Sequence, residues 1–169
     1  MKNITKFIAL AIAIVGFSAN VNGQATATAT ASATIVSPIS ITKTVDLNFG
    51  NVGASALAGT VTITPAGVRS TTGGVSLPVA AGTVTSAAFD VAGQSNFTYA
   101  ITLPASVVIT SGANNMTVDG FTSNPGTTGT LSAAGTQTLN VGATLNVGAS
   151  QAAGTYISAT PFDVTVNYN

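Results

Sequence analysis

The sequence predicts an all-β protein, an antiparallel β-sandwich. Three observations carry that expectation. Apolar and polar residues alternate with period two in one short segment after another, which is the pattern of a strand with one buried face. Gly, Asn, Ser and Pro clusters fall between those segments at turn spacing. Only 5% of the residues are charged and glutamate is absent, so the polar face of a surface helix has nothing to be built from. Threonine, stiff and β-branched, takes that polar role on a pleated surface.

Residues 1–23 read as a secretory signal peptide. Lys2 and Lys6 form a positive start, Phe7–Phe17 an apolar run, and small residues follow. Val21 and Gly23 suit cleavage after Gly23, with Ala19 the other position. The apolar run is shorter than the roughly 20 residues that span a bilayer. The expectation is a secreted protein, periplasmic in transit and then at the cell surface or outside the cell, with no transmembrane span after cleavage. The remaining chain keeps two cations, Lys43 and Arg69, against Asp46, Asp90, Asp119 and Asp163.

Residues 24–36 alternate strictly. Ala25, Ala27, Ala29, Ala31, Ala33 and Ile35 occupy one phase, and Thr or Ser the other. The pattern predicts a strand. Alanine knobs bury little area, so such a strand pairs poorly alone and is suited to joining an existing sheet edge.

Residues 37–169 carry the sandwich. Ile41, Val45, Leu47 and Phe49 share a phase that Lys43 interrupts, and Gly50-Asn51-Val52-Gly53 ends the segment. The theme returns at Val61/Ile63, Val75/Leu77/Val79, Ala87/Phe89/Val91 and Phe97/Tyr99/Ile101/Leu103. It continues at Met116/Val118, Leu139/Val141/Ala143/Leu145/Val147 and Phe162/Val164/Val166/Tyr168. Gly67-Val68-Arg69-Ser70 reads as a turn. Residues 54–58 and 151–154 have room for one helical turn at most. No fixed-period repeat is present, which argues against solenoids and propellers.

The missing residue types exclude much chemistry. There is no histidine and no cysteine, so imidazole bases, thiolate nucleophiles, zinc sites and disulfides are out. The four aspartates are scattered, without the clustering a calcium loop needs, and no pair stands out as glycosidase carboxylates. Ser-Lys catalysis would fall to Lys43, the one lysine after the signal segment. The few cations do not suit a nucleic-acid partner. We therefore expect no enzyme, no catalytic residue, no cofactor and no metal. Lys43 reads as a charge guarding a sheet edge, and Arg69 as a donor to loop carbonyls or to an aspartate. Asn96-Phe97-Thr98 and Asn115-Met116-Thr117 match the short N-glycosylation pattern, which is common by chance.

The chain ends resemble bacterial chaperone–usher pilins, especially spore-coat-U-like subunits of the archaic branch. The likeness rests on the alternating N-terminal segment, Leu47-Asn48-Phe49-Gly50, Gly154-Thr155-Tyr156 and the final strand with penultimate Tyr168. The cysteine pair usual in pilins is absent. More of the chain resembles the domain-of-unknown-function 4402 family of secreted bacterial proteins. Gly67-Val68-Arg69, Phe89-Asp90-Val91-Ala92-Gly93, Tyr99-Ala100-Ile101-Thr102-Leu103-Pro104, Met116-Thr117-Val118, Leu139 to Leu145 and Val164 to Tyr168 carry that likeness.

The resemblance implies an immunoglobulin-like, pilin-like sandwich acting as a structural, fimbrial cell-surface subunit with a role in adhesion. Ala25, Ala27, Ala29, Ala31, Ala33 and Ile35 would be the donor strand, and Phe162, Val164, Val166 and Tyr168 the C-terminal edge strand of assembly. Like subunits would be the partners, head to tail, with a periplasmic chaperone and an outer-membrane usher. The alternative is a monomeric extracellular carbohydrate-binding or adhesive sandwich.

Overall fold

A computed structural model describes residues 23–169. Residues 1–22 of the expected signal peptide lie outside the described residues. The chain divides after Thr34 into two units. Over residues 23–34 the first has no regular secondary structure, and every residue is exposed. The alternation there does not produce a strand within this chain. Small alanine side chains offer little area to hold the segment on a sheet, and a strand without a ladder partner gains no backbone bonds.

The second unit, Ile35–Asn169, is all-β and antiparallel, with no helix among the described residues. Its strands are β1 (Ser40–Val45), β2 (Gly59–Ile63), β3 (Arg69–Gly73), β4 (Ala87–Ala92), β5 (Thr98–Thr102) and β6 (Ser106–Ser111). They continue with β7 (Asn114–Asn124), β8 (Thr128–Thr130), β9 (Thr136–Val147), β10 (Ile157–Ser158) and β11 (Thr165–Tyr168).

Twelve-residue β9 is the spine of an eight-stranded sheet ordered β1-β4-β9-β7-β6-β10, with β3 reaching β9 through β2. Two strands share one side of it. β4 pairs with Thr136–Val141 and β2 with Ala143–Val147. Between them lies Gly142, where a β-carbon would strike the Ile63 carbonyl. Glycine there lets β2 leave the sheet across β9 while β4 takes over. A second sheet, β11-β5-β8, has three strands.

The sandwich has two cores along β9. In the first, Phe89 and Val91 of β4 and Leu139 and Val141 of β9 meet Tyr99 and Ile101 of β5, Leu131, and Val166 of β11. The small sheet thus covers this half. In the second, Val61, Ile63, Ala143, Leu145, Val147 and Val118 meet Phe49 and Val75, which come from loops. The segments around residues 48–53 and 76–85 bond to one another there. Asn48 and Thr85 exchange backbone hydrogen bonds, Gly53 and Ser76 do likewise, and the Asn51 N–H donates to the Ala81 carbonyl.

The loops account for the departures from the sequence pattern. Val75/Leu77/Val79 forms only the isolated bridge at Ser76, and Leu77 and Val79 are exposed. Leu47 and Phe49 lie beyond β1, and Phe162 and Val164 before β11. Conversely Arg69–Gly73 is a strand, held by β2 across five paired residues. β6 and β8 had no counterpart among the alternating segments. Adjacent Val107 and Val108 blur the alternation in β6, and β8 (Thr-Gly-Thr) has no apolar phase.

Candidate functional site

Strand β11 forms one edge of the three-stranded sheet and pairs only with β5. The Asn169 N–H donates to the Thr98 carbonyl at 3.3 Å. Alternate residues bond across an antiparallel pair. Thr165 and Asn167 therefore turn their backbone groups toward β5, and Val166 and Tyr168 turn theirs to the open side. Val166 buries its side chain in the first core while its backbone faces that edge. Phe162 and Val164, just upstream, are half-buried against the same core, and Phe162 packs on Phe121 with ring centroids 5.0 Å apart.

Tyr168 closes the strand. Its hydroxyl accepts from the Gln94 N–H at 2.6 Å and donates to the Ser37 carbonyl at 2.9 Å. The Ser37 N–H in turn donates to Gln94 Oε1 at 3.2 Å. Phe97 meets the Tyr168 ring edge-on at 5.6 Å. The latch thus ties the residues leading into β1 to the last strand of the fold. Sequence reasoning singled out Tyr168 but missed Gln94 and Ser37, which lie far from it in the chain.

The other expected assembly residues belong to the start of the chain. Ala25, Ala27, Ala29, Ala31 and Ala33 lie in the N-terminal unit and Ile35 at the start of the second unit, all exposed. Of the two charged side chains considered, Lys43 stands on edge strand β1 opposite Phe89 and pairs with Asp46. Both partners are largely exposed, so the pair adds little stability and the charge sits where it discourages a further strand. Arg69 Nη1 donates to the carbonyls of Phe49 at 2.8 Å and Asn51 at 3.0 Å. It fastens the loop over the second core.

Tyr99 is fully buried. Its hydroxyl donates to Gln137 Oε1 at 2.8 Å, an oxygen that also accepts the Thr130 N–H. Burial pushes the Tyr99 phenol above its ordinary value, because the interior penalises the phenolate. Asp90 accepts from the Thr138 hydroxyl at 3.3 Å, and Asp163 is exposed. Among the described residues no group of three potential metal ligands comes together, and no helix is long and apolar enough to cross a membrane.

Comparison with curated proteins and with solved structures finds no match to this chain. The family model for the domain of unknown function DUF4402 matches residues 39–168, which spans both cores and ends at Tyr168. The chain belongs to the DUF4402 family.

Proposed function

We propose that this protein is a secreted, pilin-like structural subunit of the cell surface. It assembles head to tail when residues 25–35 of one copy add as a strand to the open side of β11 in the next. The observation that carries the reading is the free edge of β11, where the backbone groups of Val166 and Tyr168 face away from β5. Strand addition draws affinity from backbone hydrogen bonds and specificity from alternate side chains. The uncharged, alternating N-terminal segment has both requisites: no ladder of its own and one apolar phase. Such a contact joins two different surfaces and does not close on itself, so it builds a filament.

The test compares the chain from residue 24 with one lacking residues 24–36, by light scattering and electron microscopy. Circular dichroism first establishes that both have the same thermal transition. Filaments from the longer chain alone are the expected result. Filaments of equal length from both, or a full chain that stays monomeric at high concentration and binds a glycan array, would overturn the reading.

A further inference from the structure

We propose that the N-terminal segment is a site of O-linked glycosylation, with Thr26, Thr28, Thr30, Ser32 and Thr34 as the acceptors. The inference does not need the assembly reading. It rests on a contrast between hydroxyls carried on laddered backbone and hydroxyls carried on backbone outside any ladder.

Several hydroxyls on the folded sheet are engaged. Thr60 and Thr72 bond to one another at 2.7 Å, and Thr62 and Thr144 at 2.9 Å. The Thr44 hydroxyl donates to the Ala88 carbonyl, and the Thr85 hydroxyl to the Asp46 carbonyl. Their backbones lie in ladders or bridges, which a transferase cleft cannot draw out without unfolding the sheet. Residues 24–36 differ on every count. They are exposed, lie outside any ladder, and enter no hydrogen bond among the described residues. Each hydroxyl there is flanked by alanine or another small or aliphatic residue, so nothing bulky or charged screens it.

The segment also has a physical need for such a modification. Twelve uncharged residues with period-two alternation and no Pro or Gly, Ala25–Val36, have the composition of a cross-β stacking sequence. Charged gatekeepers normally protect such stretches, and here the next charge downstream is Lys43. Pro38 follows, completing the hydroxyl-rich, proline-bounded composition of O-glycosylated stalks. Sugars on alternate residues project from one side of an extended chain. They would block stacking through the threonine face and leave the alanine face open.

The chemistry balances with an activated sugar whose anomeric carbon carries a phosphate leaving group. The side-chain oxygen of the acceptor attacks that carbon and forms the glycosidic C–O bond. The bond from carbon to phosphate breaks, and its electron pair leaves with the phosphate. The hydroxyl proton passes to the transferase base. Nucleotide sugars and lipid-linked glycans both supply this group.

The test is intact-mass and fragmentation mass spectrometry of the protein isolated from its own cells. The expected result is mass above that of the bare chain, localised to residues 26–34, released by alkaline β-elimination, and lost when those five residues are replaced by alanine. Single-sugar steps would identify a nucleotide-sugar donor, and one fixed oligosaccharide a lipid-linked donor. A bare-chain mass, or sugar found only on Asn96 or Asn115, would overturn the proposal. Filament assays play no part in this readout, so its failure and that of the assembly reading are separable.

Discussion

Gly93 and Tyr168 are complementary in shape. A β-carbon at Gly93 would clash with the Tyr168 hydroxyl, which bonds to Gln94 and Ser37. Gly93 keeps an ordinary backbone, since it is absent from the glycines with positive φ, so the requirement here is space. Gly93→Ala must push the ring outward and is expected to cost about 1–3 kcal/mol, as overpacking does. Tyr168→Phe keeps the ring but strands the Gln94 N–H, at about 1–3 kcal/mol. Combining the two should cost less than the sum, because the second change removes the atom with which the first collides. Urea unfolding of the four proteins measures this, and strict additivity would show that the latch does not link the two positions.

Arg69 acts on the loop that stands in for a sheet over the second core. Its guanidinium holds the carbonyls of Phe49 and Asn51, while Phe49 is buried beneath. Arg69→Met keeps the apolar stem and removes both charged hydrogen bonds, an expected loss of about 1.5–3 kcal/mol. The loss should be local first. Amide exchange should accelerate at residues 50–53 and 80–85 before it does in β4 or β9. Uniform acceleration through both cores would instead mean that the loop unfolds only with the whole domain.

The parts of this fold that were legible in the sequence are the ones whose burial follows local alternation. Phe89 and Val91 of β4, and Leu139 to Val147 of β9, carry their buried phase openly. Val75, Leu77 and Val79 show the same alternation, yet only Val75 is buried, because this stretch crosses the core as a loop. Arg69–Gly73 shows the opposite case. Nothing in Arg-Ser-Thr-Thr-Gly announces a strand, and pairing with β2 imposes one. At the candidate site, Tyr168 stood out by its place on an alternating strand. Ser37 is 131 residues away in the chain and Gln94 is 74, so the latch follows from topology and leaves no local signal.

Lys43 offers a test of edge protection. It occupies the phase of β1 that faces Phe89 in the ladder, on a strand with no further neighbour. Lys43→Val should leave unfolding free energy within about 0.5 kcal/mol, as for most surface changes, since the exposed pair with Asp46 contributes little. Self-association should rise, because a valine row lengthens the apolar phase of an open edge. Lys43→Glu, which restores a charge of opposite sign, should stay as soluble as the parent. Equal scattering from all three proteins at matched concentration would show that β1 is shielded in some other way.

Tyr99 ties stability to alkaline pH. Its phenol is raised above the ordinary value of 10.0 by burial, whereas in the unfolded chain water solvates the phenolate. The folded state therefore holds its proton to higher pH than the unfolded state does. The stability contributed by the neutral phenol is fully present below pH 10.0 and is lost as pH rises through the folded pKa. Tyr99→Phe should cost about 1 kcal/mol at neutral pH, the worth of one hydrogen bond, with Gln137 Oε1 still satisfied by Thr130. The same variant should flatten the decline above pH 10.0, because its buried ring has no proton to lose. Urea titrations across the alkaline range decide the matter. A variant that declines as steeply as the parent would assign the alkaline loss of stability to another group.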